Sequence, residues 1–162
     1  MPNIRTTELY DEDRYRRARL AEQAGAEHLG LTVYELPPGT GMHFHYHLQR
    51  EELLVVLEGA LAVRTADGWE DVPEGEVRAF PRGGRGVHGY ENRTERPVRL
   101  LMLSEQNAPN VSVYPDTNEV GIYDVARPGE RRFGALFNLA EAVSGYAGGQ
   151  PNSGLPEVEG PR

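Results

Sequence analysis

The spacing of apolar residues changes period along this chain, and each change predicts an element. From Asp11 to Ala24 good helix formers run without glycine or proline and Gly25 follows as a C-cap, so a short, heavily charged surface helix is expected there. From Glu27 the texture alternates: Leu29, Leu31 and Val33 interleave with Gly30, Thr32 and Tyr34 at the period of a strand, which Pro37, Pro38 and Gly39 stop. A histidine-bearing strand follows, then a polar corner at Leu48–Arg50, then Glu51–Glu58. This last segment is apolar on both faces through LLVVL, as in a strand covered on both sides by a sandwich or barrel. Asp67 and Gly68, between Leu61–Thr65 and Trp69–Val72, carry a strong two-residue hairpin signal. Further short strands fit Glu76–Phe80, Val87–Glu91 and Val98–Leu103. Short strands at this spacing predict an all-β sandwich or closed barrel.

The pattern weakens after Leu103. Asn107–Asp124 suits one or two strands outside the barrel, Ala135–Val143 a brief helix, and Gly145–Arg162, rich in glycine and proline, a loose tail. The expected organisation is an extension over residues 1–26 with the short helix, a β-barrel over 27–104, and a partly irregular C-terminal extension over 105–162. There is no internal repeat, and 162 residues suit one domain with appendages.

Composition narrows the chemistry. There is no cysteine, which removes disulfides, thiolate metal sites, iron–sulfur clusters and cysteine nucleophiles in one step. All 17 basic residues are arginine, so lysine nucleophiles and Schiff bases are excluded too. The formal charge is −8 and the arginines are mostly scattered outside Arg14–Arg19, so no basic stripe offers a path for a phosphate backbone. Nucleic acid is not an expected partner. The longest aliphatic run, Leu53–Leu57, is far short of the ~20 residues that span a membrane, and the acidic run Asp11–Asp13 does not suit a secretory signal. A soluble, cytoplasmic protein without membrane partners is expected. On that expectation the glycosylation-like triplets at Asn92 and Asn110 read as chance.

The candidate chemistry lies in GMHFHYHLQREELLVVLEG, from Gly41 to Gly59. Residues two apart on a strand share a face and lie ~6.5–7 Å apart at the backbone, so His45 and His47 can converge on one ion. His43 shares that parity but stands about 13 Å from His47 along the strand, too far for all three to bind one metal. A third imidazole must come from His28 or His88, of which His88 follows a glycine-rich turn. A carboxylate at Glu51 or Glu52 would complete a mixed nitrogen and oxygen set, suited to one divalent ion of Fe, Mn, Ni, Co or Zn.

These residues resemble the cupin superfamily. Its first motif, G-x5-H-x-H-x3/4-E-x6-G, is met by Gly39, His45, His47, Glu52 and Gly59. Its second, G-x5-P-x-G-x2-H-x3-N, is met by Gly75, Pro81, Gly83, His88 and Asn92, except that four residues rather than two separate Gly83 from His88. The resemblance covers Leu29 to Leu103. It implies a double-stranded β-helix, the cupin jelly roll, with a metal in one mouth, and frequent homodimerisation. It also selects Glu52 as the carboxylate ligand beside His45, His47 and His88, and leaves His43 and Glu51 outside the first shell.

Such a centre would leave open positions for bidentate oxygen ligands. The expected function is a metal-dependent enzyme, a dioxygenase or an isomerase or lyase, acting on a small oxygenated metabolite. The alternative is a non-catalytic module that binds or senses a small molecule through the same metal. Proton transfer in an isomerase needs a base, for which the sequence offers His43, Glu51 and Tyr90. The absence of lysine weakens the case for a strongly anionic phosphosugar, although arginine could serve. Asn92 is expected to stabilise the turn after its strand.

Overall fold

In the computed structural model, which describes residues 1–124 and 134–141, the N-terminal segment makes strands before it makes a helix. Tyr10–Asp11 (β1) and Arg16–Arg19 (β2) pair as a hairpin, and only Leu20–Ala24 (α1) is helical. This corrects the helix expected over Asp11–Ala24. Local propensity is overruled by pairing: β2 lies along β3 (Leu29–Leu36) with Arg17 opposite Tyr34 and Ala18 opposite Val33, which covers the edge of β3 and buries Ala18. Gly25 does cap α1, its N–H reaching the carbonyls of Ala21 and Glu22.

The barrel strands follow the alternation. They are β4 (Gly41–His47), β5 (Glu52–Glu58), β6 (Ala60–Thr65), β7 (Gly68–Pro73), β8 (Val77–Phe80), β9 (His88–Glu91) and β10 (Val98–Glu105). The loop between β6 and β7 is Ala66 and Asp67, one residue earlier than the dipeptide signal, because Gly68 already pairs with Thr65. One antiparallel sheet runs in the order β1-β2-β3-β10-β5-β8.

Past β10 the chain stays with the barrel. Asn110–Tyr114 (β11) pairs with β4, aligning Ser112 with His47 and Val113 with Tyr46. Glu119–Tyr123 (β12) and Gly134–Asn138 (β13) extend the same sheet, giving β13-β12-β11-β4-β9-β6-β7. The strands expected outside the barrel therefore widen one of its walls. β13 also replaces the first part of the helix expected at Ala135–Val143: pairing with the edge of β12 outweighs the helical preference of its alanine and leucine, and Leu139–Glu141 add a single 3₁₀ turn. Residues 142 and 143 and the tail expected at Gly145–Arg162 lie outside the described residues.

The two sheets face each other around Leu36, Leu54, Val56, Leu61, Val63 and Leu100, all fully or almost fully buried. This is the double-stranded β-helix. Leu54 and Val56 point into it while Val55 and Leu57 pack outside against Leu31 and Leu101, which is why LLVVL is apolar on both faces. Among the described residues no helix is long and apolar enough to cross a membrane.

Candidate metal centre

His45 and His47 leave β4 on its inner face, and both are buried. His43 does not join them. β4 and β9 pair Met42 with Tyr90 and His45 with His88, so His43 and Phe44 together stand opposite Gly89 alone. The extra residue breaks parity: Met42 packs on the core, His45 enters the site, and His43 is exposed with its Nε2 3.3 Å from Arg14 Nη2. A Cβ at residue 89 would stand 3.1 Å from the Phe44 backbone, so glycine lets β9 lie this close to the bulge without crowding it.

Glu52 opens β5 and His88 opens β9, which brings both beside the histidine pair. His47 Nε2 lies 3.2 Å from His45 Nε2 and 3.1 Å from Glu52 Oε2, and His88 Nε2 lies 3.3 Å from the same oxygen. The possible ligand atoms of His45, Glu52 and His88 all fall within 4.8 Å of one another, and His47 adjoins two of the three. His88 is delivered by a 3₁₀ turn at Gly84–Gly86, which takes up the two extra residues after Gly83. That turn is tight enough that a Cβ at residue 86 would sit 1.7 Å from the Pro81 carbonyl oxygen.

Each imidazole is oriented by what its Nδ1 touches. His45 Nδ1 donates to the His43 carbonyl at 2.7 Å, and His88 Nδ1 donates to the Gly86 carbonyl at 2.9 Å. His47 Nδ1 lies 3.0 Å from Asn110 Oδ1, an acceptor, and 3.0 Å from Ser112 Oγ. With Nδ1 carrying the hydrogen, each neutral ring turns an Nε2 lone pair inward. Three lone pairs and a carboxylate oxygen then converge without a hydrogen to share, and buried His88 Nε2 has no hydrogen-bond partner among the described residues. That arrangement could hold a cation, and its donor set suits a divalent transition metal. His88 Nε2 is close to Glu52 Oε2 but outside hydrogen-bonding geometry, which fits shared ligation better than a bond between the two.

Electrostatics agree with the geometry. Burial lowers His45 to about 4, helped by the neighbouring His88 and His47, so it is neutral and free to ligate at pH 7. Burial pushes Glu52 up, but when His47 and His88 carry a proton on the inward nitrogen, their bonds and charge more than offset this and hold it well below the usual carboxylate range. The carboxylate is thus ionised inside the barrel, and protons and a metal ion compete for the same inward nitrogens. Phe80 lies flat on His88, ring centroids 3.8 Å apart and planes at 5°, while Tyr114 stacks on His45 at 5.8 Å and 25°.

The remaining candidates lie elsewhere. Glu51 is exposed at the barrel rim, where its N–H donates to Glu105 Oε2 at 2.9 Å. His28 is exposed and distant from the cluster in sequence and burial. Tyr90 does face the interior, 3% exposed, but burial first and then Tyr34 and Glu52 raise its phenol well above the ordinary value. It is a neutral hydroxyl, suited to donating a hydrogen bond and not to taking a proton. Asn92, completely buried, holds its turn by donating to the Leu36 and Arg96 carbonyls and accepting from Thr94. Asn110, Ser112 and Tyr114 escaped the sequence reading. The local signal at Asn110 and Ser112 was a glycosylation-like triplet, and the contact of all three with the site depends on the pairing of β11 with β4.

A family model described as a cupin domain matches residues 32–104. Residues 32–104 form a cupin domain. The full fold also resembles solved structures. A sugar phosphate isomerase of the cupin superfamily from Silicibacter pomeroyi DSS-3 is 26% identical with a TM-score of 0.70, over 78% of this chain and 77% of that one. The polyketide cyclase RemF from Streptomyces resistomycificus is 25% identical with a TM-score of 0.57, over 68% of this chain and 83% of that one. A structure from Acidithiobacillus ferrooxidans ATCC 23270, 20% identical with a TM-score of 0.69 over 80% of each chain, shows the shared fold alone. A search of curated proteins finds no match. All four converging side chains belong to the cupin domain, whereas the acceptors that orient His47 come from β11, beyond it.

Proposed function

We propose that His45, His47, Glu52 and His88 hold one divalent transition metal, and that this cupin is an isomerase- or lyase-type enzyme acting on a small oxygenated metabolite. The observation that carries the reading is the set of inward Nε2 lone pairs fixed by Nδ1 hydrogen bonds beside an ionised, buried carboxylate. A bound divalent ion supplies Lewis acidity toward a carbonyl or enolate oxygen. The chain's own residues supply its surroundings: Phe80 and Tyr114 press on two of the rings, and Tyr90 offers a neutral hydroxyl within the barrel. The resemblance to the Silicibacter pomeroyi isomerase and to the polyketide cyclase RemF favours non-oxidative rearrangement over dioxygenation.

One observation favours a second reading. None of the candidate bases stands at the cluster ready to take a proton: His43 is outside the barrel, Glu51 is solvated, and Tyr90 is neutral. A module that binds a small ligand through the metal needs no base. The metal assignment is tested by elemental analysis of Glu52→Gln and Glu51→Gln protein purified without chelator. Glu52→Gln is expected to lose most of its metal and Glu51→Gln to keep it; equal losses would overturn the ligand set. Enzyme and binding readings separate by proton NMR in deuterated water, where an isomerase exchanges a carbon-bound hydrogen beside the carbonyl of its substrate and a binding module exchanges none.

A further inference from the structure

At the row of Glu52 the inner face of the barrel turns from apolar to polar. Deeper in, the inward residues Leu36, Leu54, Val56 and Leu100 are fully or almost fully buried. Toward the rim, Ser104 of β10 stands between Gly30 of β3 and Glu52 of β5. Gln106 continues the same face, its N–H donating to the His28 carbonyl at 2.9 Å. Gly30, Glu52, Ser104 and Gln106 are all only partly buried, so the core opens here. Leu53 and Leu103, which pair with each other, point outward by alternation, so this corner reverses the usual pattern of a strand: polar side chains in, apolar ones out. Directly opposed residues have Cβ atoms ~5 Å apart, which puts Ser104 beside a ligand of the centre.

Gly30 shows what the corner accommodates. A glycine inside a strand weakens it and marks a place where something comes close. Its backbone is not left-handed and does not itself demand glycine. A Cβ there would meet Gln106 Nε2 at 2.2 Å and Ser104 Oγ at 2.6 Å, whereas at Gly41 and Gly86 the crowding atoms are backbone. The missing side chain therefore seats the Gln106 amide, not a neighbouring strand. Gln106 Nε2 donates to Ser104 Oγ at 3.3 Å, which leaves the Ser104 hydroxyl hydrogen and Gln106 Oε1 uncommitted among the described residues. Asn92 provides the contrast of an amide used for structure: its nitrogen donates to two carbonyls and its oxygen accepts twice from Thr94.

We infer that Ser104 and Gln106 determine specificity by receiving a neutral hydroxyl of the ligand held at the centre, and that Gly30 leaves them the room. The inference rests on the metal reading, since it places that hydroxyl beside Glu52. A hydroxyl accepts from Ser104 O–H and donates to Gln106 Oε1 at once, while a methyl in its place leaves both unpaired.

The test uses the full chain, cobalt-loaded and metal-free, in calorimetric titrations with D-glycerate and D-lactate. The two acids chelate a metal through the same carboxylate and adjacent hydroxyl, and differ only in that glycerate carries a further hydroxyl where lactate ends in a methyl. Glycerate is expected to bind the cobalt-loaded protein about tenfold more tightly. The double variant Ser104→Ala/Gln106→Ala is expected to bring the two acids within about twofold, with lactate affinity and cobalt content unchanged. Gly30→Ala is expected to erase the preference in the same way without lowering the melting temperature, because its Cβ displaces only the mobile ends of two side chains. Equal affinities in the parent, or a preference that survives in the double variant, would overturn the proposal. So would Ser104→Ala protein that loses cobalt yet keeps the preference, since the hydroxyl would then serve Glu52 and not the ligand. A preference that is the same in metal-free protein and lost in the double variant supports the pair and counts against the metal reading alone.

Discussion

Removing the acceptors behind His47 gives the sharpest test of how the centre is built. Asn110 Oδ1 and Ser112 Oγ each lie 3.0 Å from His47 Nδ1, and both side chains are buried. Asn110→Ala alone leaves Ser112 to take the hydrogen, so metal affinity is expected to fall only about tenfold, or about 1.4 kcal/mol. The double variant Asn110→Ala/Ser112→Ala leaves Nδ1–H without an acceptor, a penalty of about 1–3 kcal/mol for a buried donor. The ring escapes it by moving the hydrogen to Nε2, where Glu52 Oε2 waits 3.1 Å away. Metal binding must then reverse that shift, and the loss is expected to approach 100-fold, about 2.7 kcal/mol. Asn110→Asp works oppositely, since a carboxylate accepts Nδ1–H more strongly and raises the basicity of the inward nitrogen. The assay is competition for zinc against a chromophoric chelator at pH 7, with melting of the metal-free proteins as the folding control. A folded double variant whose Kd stays within about twofold of the parent would refute the orienting role and with it the tautomer argument.

Acid should weaken the metal-free fold. His45 stays neutral in the fold to about pH 4, while the unfolded imidazole takes its proton near 6.5. The unfolded state thus binds more protons in that window, and stability should fall by about 3 kcal/mol as pH drops from 6.5 to 4, as urea titrations would show. Glu52, held low in the fold, adds loss in the same direction as pH falls through the unfolded carboxylate range. His45→Asn should flatten the slope between pH 6.5 and 4; an unchanged slope would mean that His45 is not the group responsible. Asn92→Leu should cost about 3 kcal/mol in the same titrations, because it strands the Leu36 and Arg96 carbonyls and the Thr94 N–H. Gly86→Ala should lower both melting temperature and metal content, since its Cβ meets the Pro81 carbonyl and its own carbonyl positions His88; metal retained at full stoichiometry would show that the turn can yield.

How much of this was legible in the sequence depended on whether the deciding interaction was local. That His45, His47, Glu52 and His88 would meet was readable, because strand parity pairs the first two and the motif spacing picks Glu52 over Glu51. His43 shared that parity on paper and lost it in the fold. The bulge at His43 and Phe44 is set against Gly89, 45 or more positions downstream, and no local pattern marks which residue of a strand will be skipped. The N-terminal helix failed for the same reason, as a free edge on β3 recruits Arg16–Arg19 against their propensity. Asn110 was hidden more deeply. Its neighbours spell a plausible surface signal, and only the register that sets Ser112 against His47 turns it inward.

The division between cupin domain and extension also bears on how relatives should be compared. The family model stops at residue 104, yet the likeness to the Silicibacter pomeroyi isomerase covers 78% of this chain, far more than residues 32–104 alone. Strands outside the cupin domain must therefore be part of what the two structures share. The donor set can be common to many cupins, so it is a poor guide to substrate. The presence of a widened wall does not discriminate either, if relatives have it too. What can discriminate is the side chains that wall sets against the cluster, here Tyr114, whose ring stacks on His45, and Asn110 and Ser112, which meet His47 Nδ1.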